Sequence, residues 1–117
     1  ILDRLSGVGA SEVAGELARS GISAGFARLE RCLRDENPYV RERAAEELER
    51  IALPQALQLL RNALRDRSHW VRRRAVAGLA IHGGPEDRAA LEAASAHEQV
   101  PYLRSEIGWA KARLGSA

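Results

Sequence analysis

The chain spells an all-α fold of stacked antiparallel helix pairs, an expectation resting on its composition, an internal period and the placing of its prolines. Of its 117 residues 45% are apolar and only 4% aromatic, and alanine and leucine prevail, a mixture that favours helices over sheet. The length suits one domain, and 29% charge beside that much apolar side chain excludes a disordered tail. A shift of 31 residues lays Leu33 on Leu64, Asp35 on Asp66, Val40 on Val71, Arg41 on Arg72, Ala44 on Ala75 and Leu48 on Leu79. A fixed period of this length is the mark of a repeat architecture. The same shift carries Leu29 to Leu60 and Leu91, Cys32 to Ala63 and Ala94, and Pro54 to Pro85. Downstream a shift of 32 places Arg104 under Arg72 and Gly115 under Gly83, so one residue is inserted near 97–100.

The units run 22–52, 53–83 and 84–115 after a partial unit 1–21, within a single domain 1–117. Each reads as two helices, because apolar residues recur at spacings of three and four. The partial unit contributes a helix over 11–19, and the first full unit opens with one over 23–34. Asn37 suits an N-cap and Pro38 the first helical position, where a missing N–H costs nothing, so the next helix spans 38–51. Pro54 opens 54–65 in the same way, and Ser68 caps a run over 69–82 that Gly83 and Gly84 stop. Pro85 opens 85–96, and Pro101 opens 101–114. A lone pair buries too little apolar surface to offset its ordering entropy, and stacking gives every unit neighbours. The chain lacks an initiator Met and begins with apolar Ile1, Leu2 and Leu5, which reads as a piece of a longer protein whose N-terminal end expects a partner segment.

A net charge of +2, from 18 basic and 16 acidic residues, rules out wrapping nucleic acid by bulk charge. Cys32 has no second cysteine to pair with, so packing must stabilise the fold and a reducing, cytoplasmic setting is expected. No apolar run approaches the roughly 20 residues a membrane span needs, so no membrane partner is expected. All but one of the basic residues are arginine, Lys111 being the exception, which hints at a GC-rich bacterial coding sequence.

The strings from Leu33 to Leu48 and from Leu64 to Leu79, with their Asp, Val-Arg, Ala and Leu spacing, resemble HEAT repeats. The likeness is to the short class of bacterial HEAT-like and phycobilin-lyase-type proteins, and it is best over residues 23–96. It implies a right-handed α-solenoid of about three and a half repeats of 31–32 residues. The third copy departs, with His97 in place of the Asp, Ser95 in place of Leu33 and Leu64, and Lys111 in place of Leu48 and Leu79. The resemblance implies a structural ladder in which Asp35 and Asp66 with Arg41 and Arg72 tie adjacent units together. It also implies that second helices line a concave surface.

On that surface the outward positions, beside inward Val40, Ala44 and Leu48, are Arg43, Glu46, Glu47 and Arg50, then Arg74, Ala77, Gly78 and Ile81, then Glu106, Trp109, Ala110 and Arg113. A groove floored by Ala77, Gly78 and Ile81, walled by Trp109 and rimmed by Arg43, Arg50, Arg74 and Arg113 would take a peptide or helix, since aromatic and arginine side chains make effective anchors. Trp109 serves equally as wall or as a seal of the stack, and Trp70 is expected to be covered. Residues 61–74 carry a local +5 and residues 35–49 a local −4. These faces are expected to be solvated and to pair partly across the repeat boundary, or else the Arg cluster meets an acidic partner.

Cys32, in register with Ala63 and Ala94, reads as a small buried hydrophobe and not a nucleophile. The His97-Glu98 pair occurs once, and His69 and His82 lie in other frames, so no metal site is expected. With no Gly-rich phosphate loop, nucleophile elbow or Cys pair, no catalytic or cofactor-binding residue is assigned. The leading expectation is a non-catalytic scaffold that offers its concave face to a protein, a peptide or another segment of its parent chain. Nucleic-acid binding through the Arg cluster is the alternative, opposed by Glu46, Glu47 and Glu106 on the same face. A bilin-lyase-like enzyme subunit comes third.

Overall fold

Six α-helices, joined by short turns, make up the residues that this computed structural model describes, 23–115. They are α1 (Ser23–Cys32), α2 (Pro38–Leu48), α3 (Pro54–Ala63), α4 (His69–His82), α5 (Arg88–His97) and α6 (Pro101–Leu114), with a 3-10 turn at Pro85–Asp87 before α5. The expected helix over 11–19 and the apolar start at Ile1 lie outside the described residues. Three caps act as the sequence suggests. The Asn37 side chain accepts the Tyr39 N–H at 2.9 Å, Ser68 Oγ accepts the Trp70 N–H at 3.3 Å, and Gly83 ends α4. Gly115 ends α6 at φ 72°, a left-handed conformation that favours glycine.

Two expectations about boundaries are corrected. Helices α1, α2 and α3 stop two or three residues early because their last residues curl into the turn that reverses the chain. The segment starting at Pro85 is 3-10 until Arg88, because the buried Asp87 carboxylate folds back to accept the Gly84 N–H at 2.9 Å and also meets the Arg61 guanidinium.

Odd and even helices form two layers. Leu29, Leu48, Leu60, Leu79, Leu91, Leu103 and Ile107 are fully buried between them, each matching a register position of the period. The even helices α2, α4 and α6 pack directly on one another, whereas α3 and α5 barely touch. The even layer is the more tightly packed of the two. The described residues of the stack form a slab of 44 × 27 × 15 Å.

Units are joined by a clasp that repeats. Arg41, itself buried, donates from Nε to Asp66 Oδ2 at 3.0 Å and from Nη2 to Asp66 Oδ1 at 3.2 Å. Its Nη1 donates to the backbone oxygens of Asp35 (2.8 Å) and Glu36 (3.1 Å). One unit later Arg72 donates to Glu98 Oε1 at 2.8 Å and Oε2 at 3.0 Å, while its Nη1 takes the Asp66 and Arg67 oxygens at 2.8 and 3.2 Å. The carboxylates also fix the turns: Asp35, Asp66 and Glu98 accept the N–H two residues on, from Asn37 at 2.8 Å, Ser68 at 2.9 Å and Val100 at 3.0 Å. The third copy therefore keeps its rung. Glu98, not His97, takes the place of the Asp, one residue later because of the insertion.

Fork-to-fork geometry satisfies each guanidinium with both carboxylate and backbone acceptors, which is what makes burial of the charges tolerable. Arg72, by its hydrogen bonds to Glu98, holds that carboxyl below its ordinary value near 4.5 against the opposing effect of burial, and the Val100 N–H helps.

Removing one partner would leave the other buried and unpaired. Arg41→Ala is expected to cost about 3–5 kcal/mol in urea unfolding, and a loss under ~1 kcal/mol would show that the pair behaves as a surface one. Because the Glu98 pKa is depressed in the fold, its stabilisation is present above the unfolded value near 4.5 and is lost as pH falls through the folded value. Glu98→Gln should accordingly flatten the fall of melting temperature as pH drops from about 4.5 through the lower folded value, and an unchanged slope would contradict this role.

Candidate functional site

Second helices α2, α4 and α6 carry the positions expected to line a groove, and their charges are largely spent on one another. Arg43 meets Glu46 at 2.7 Å, and Arg50 lies 3.4 Å from Glu46 and 3.5 Å from Glu47. Arg74 reaches back from α4 to Glu49 at 3.1 Å, Glu42 at 3.4 Å and Glu46 at 3.8 Å. Arg73 meets Glu106 of the next unit at 3.3 Å. The expected pairing of oppositely charged neighbours across the boundary is thus the arrangement found. Burial pushes the Glu49 carboxyl up, with Arg74 pulling it the other way. Burial lowers the Arg74 pKa in turn, but the Glu49 hydrogen bond and the Glu49, Glu46 and Glu42 charges outweigh it and raise the net value.

Three positions read as outward are buried. Glu47 turns into the stack and stays within reach of Arg50. Gly78 lies under α3, where an added Cβ would stand 2.5 Å from Leu60 Cδ1 and 3.0 Å from Glu49 Cα. Ala110 is packed into the α6 interface. The reason is common to all three: neighbouring helices lie so close in this layer that the buried stripe is wider than the inward set Val40, Ala44 and Leu48.

Large apolar side chains also remain open on this face. Trp109 is 82% exposed and Ile81 55%, so the tryptophan does not seal the described stack. Ala77 is half-buried, and Arg113 is tied down by donating from Nε to the Ala80 oxygen at 2.8 Å.

On the opposite, odd-helix layer the gap between α3 and α5 opens into a cleft of about 800 Å³, lined by Arg61, Arg65, Arg72, Ala90, Ala94 and His97 among others. The corresponding gap between α1 and α3 is about 160 Å³. Side-chain size contributes, since the period sets Ala90, which lines the larger cleft, against Leu59, which lines the smaller. Of the arginines in the basic segment, Arg61 is held by Asp87, Arg72 by Glu98, Arg73 by Glu106 and Arg74 by α2. The local +5 is therefore no free patch: Arg65 and Arg67 alone of that segment make no ion pair among the described residues.

Sequence reasoning missed a row of aromatics. Tyr39, Trp70 and Tyr102 are each the second residue of an even helix and are 58%, 49% and 41% exposed. Trp70, expected to be covered, stands beside His69, ring centroids 4.5 Å apart, and His69 Nδ1 lies 2.9 Å from the Tyr102 hydroxyl. Shifts of 31 and 32 superpose the three, so the signal was present in the period that revealed the helices.

No described group of three or more His, Cys, Asp or Glu side chains is placed to hold a metal ion, and Glu98 is committed to Arg72 and the Val100 N–H. Burial pushes the Cys32 thiol up, with Arg28 acting against it, which suits a packing residue and not a nucleophile. No helix among the described residues is long and apolar enough to cross a membrane. A family model described as HEAT repeats matches residues 26–111. No curated protein matches the chain.

Gly78 explains why the even layer closes up, and it generates a test. Gly78→Val should destabilise the chain by about 1–3 kcal/mol in thermal or urea unfolding, because Leu60 can swing away but the Glu49 backbone cannot. Ala77→Val beside it should stay within ~0.5 kcal/mol of wild type; equal losses at the two sites would show that this packing does not depend on Gly78.

Proposed function

The chain belongs to the HEAT-repeat family, and from that premise we propose that it is a non-catalytic scaffold that offers its even-helix face to a protein or peptide, another segment of a longer parent chain included. One observation carries the reading: Trp109 projects from the inner layer at 82% exposure with Ile81 also exposed. A tryptophan side chain gains more from desolvation than any other, and central aromatics ringed by neutralised charge are what interface anchors look like. On α6 itself Glu106 is paired with Arg73 of α4, and Arg113 donates to the Ala80 oxygen beside Ile81, which restrains two neighbours of these anchors and lowers the entropy lost on binding. A phosphate backbone finds little on this face, since Arg43, Arg50, Arg73 and Arg74 already answer Glu42, Glu46, Glu49 and Glu106. The buried, unpaired Cys32 is compatible with a reducing, cytoplasmic setting.

The test is capture from a cell lysate on immobilised wild type and on Trp109→Ala and Ile81→Ala variants. A discrete protein should be retained by wild type and reduced about tenfold on Trp109→Ala, with helicity and melting temperature unchanged. The same proteins at the same yield on all three would remove Trp109 and Ile81 from the interface.

A further inference from the structure

The clasp that joins unit to unit is incomplete at the α6 end of the described stack. Shifts of 31 and then 32 residues carry Arg41 to Arg72 and Arg104. The first two each hold a carboxylate of the following unit together with carbonyls of their own turn. Arg104 is exposed, and its side chain makes no ion pair or hydrogen bond among the described residues. The carbonyls of Glu98 and Gln99, in register with those of Asp66 and Arg67 that Arg72 takes, accept no described side chain.

Around Arg104 lies the side of the helix with which the stack receives a unit. On α2 that side is marked by Arg41, which reaches the Asp66 turn, and by Glu42, Glu46 and Glu49, which reach Arg74 of α4. Ala45, among them, is buried. The same shifts place Arg104, Ser105, Gly108, Trp109 and Ala112 at those five positions of α6, and all five are exposed. An added Cβ at Gly108 would meet no atom within 4 Å, whereas Ala45 and Val76 at its register position are buried. Of the five, Arg104 alone is charged.

We propose that this end of the stack docks a partner's helix pair whose linking turn carries an aspartate or glutamate. The carboxylate enters the fork of Arg104, and the partner's second helix lies along α6 over Gly108 and Trp109. The inference rests on the scaffold reading above and names the chemistry of its partner. Three arguments select that occupant. The first is charge, since an unpaired guanidinium calls for a carboxylate in bidentate contact. The second is placing: Arg104 and Ala112 are about 12 Å apart along α6, so an occupant that meets both must carry its carboxylate just before a helix that follows α6. Asp35, Asp66 and Glu98 stand at that place in their own units, each accepting the N–H two residues on as an even helix begins. The third is anchoring, because Trp109 replaces Glu46 and Ala77 of the earlier units and offers a large apolar surface to bury where α2 offers a charge. A second copy of the chain fits less well. Its Asp66 and Glu98 are engaged by Arg41 and Arg72, and its Asp35 follows the helix expected over 11–19, in register with α2.

The test joins a copy of residues 53–83, a helix pair with Asp66 in its turn, to the C-terminus of the full chain through a flexible Gly-Ser linker. The linker makes docking intramolecular, at an effective concentration of about millimolar. The copy should raise the melting temperature by at least about 4 °C. Arg104→Ala should remove at least about half of that gain while leaving the unextended chain within about 2 °C of its own value. Asp66→Ala in the copy should remove as much, and the two changes together no more than either alone. No gain, or a gain that Arg104→Ala leaves intact, overturns the proposal. Self-association of the unextended chain in sedimentation, abolished by Arg104→Ala, overturns it in favour of a second copy. In the lysate capture, Arg104→Glu should reduce retention about tenfold, as Trp109→Ala does. Retention lost with Trp109→Ala but kept with Arg104→Glu overturns this inference and leaves the scaffold reading standing, whereas equal retention by wild type and Trp109→Ala removes that reading itself.

Discussion

A buried guanidinium that must be fully hydrogen-bonded is the constraint around which this stack is organised. Arg41 and Arg72 lie where one unit meets the next, and each engages the following unit's carboxylate with two nitrogens and the carbonyls of its own turn with the third. A charge so placed tolerates almost no displacement, because every lost hydrogen bond leaves an uncompensated buried group. The clasp thus fixes three things together: the angle of the turn, the start of the next even helix and the distance between units. Hydrophobic burial by Leu48, Leu79 and their equivalents supplies most of the driving force, but it is indifferent to small slides that the clasp forbids.

The same geometry explains why the even layer is tight and the odd layer open. Units tied at their turns and packed closely where Gly78 admits Glu49 of the preceding unit leave the other layer more open, and small Ala90 on α5 leaves the gap there unfilled. Charge then sorts itself by proximity. Acidic α2 and basic α4 pack side by side, so Arg74 meets three carboxylates, and the surface left for partners is defined by aromatics more than by net charge. Trp109 and Ile81 on one face, and Tyr39, Trp70 and Tyr102 along one edge, are the large apolar groups that the described stack leaves in water.

Much of the candidate site was legible in the residues, and what was not has identifiable causes. The family resemblance implied a ladder of Asp and Arg between neighbouring units, and Arg41 with Asp66 forms such a rung; of the two readings that the charge blocks left open, Arg74 with Glu42, Glu46 and Glu49 realises pairing across the boundary. Glu47 and Gly78 were misread as outward because helical periodicity gives a direction from the axis but not the width of the stripe that a neighbour covers. His97 was read as a broken rung because a one-residue insertion shifts the register, and a longer Glu98 side chain one position later reaches the same guanidinium. The exposed aromatic row went unread although the period contains it, since a shared position says that residues are equivalent without saying that they are exposed.

By itself the sequence determined the all-α architecture, the helix pairs, their caps at Asn37 and Ser68 and the identity of the buried leucines, because those depend on local propensity and on a period that short-range order preserves. Tertiary structure alone decided which charges are spent and which surfaces are free. That outcome depends on distances between side chains roughly one repeat apart in sequence, such as Arg74 with Glu42 or His69 with Tyr102, and these distances exist only once the units have stacked.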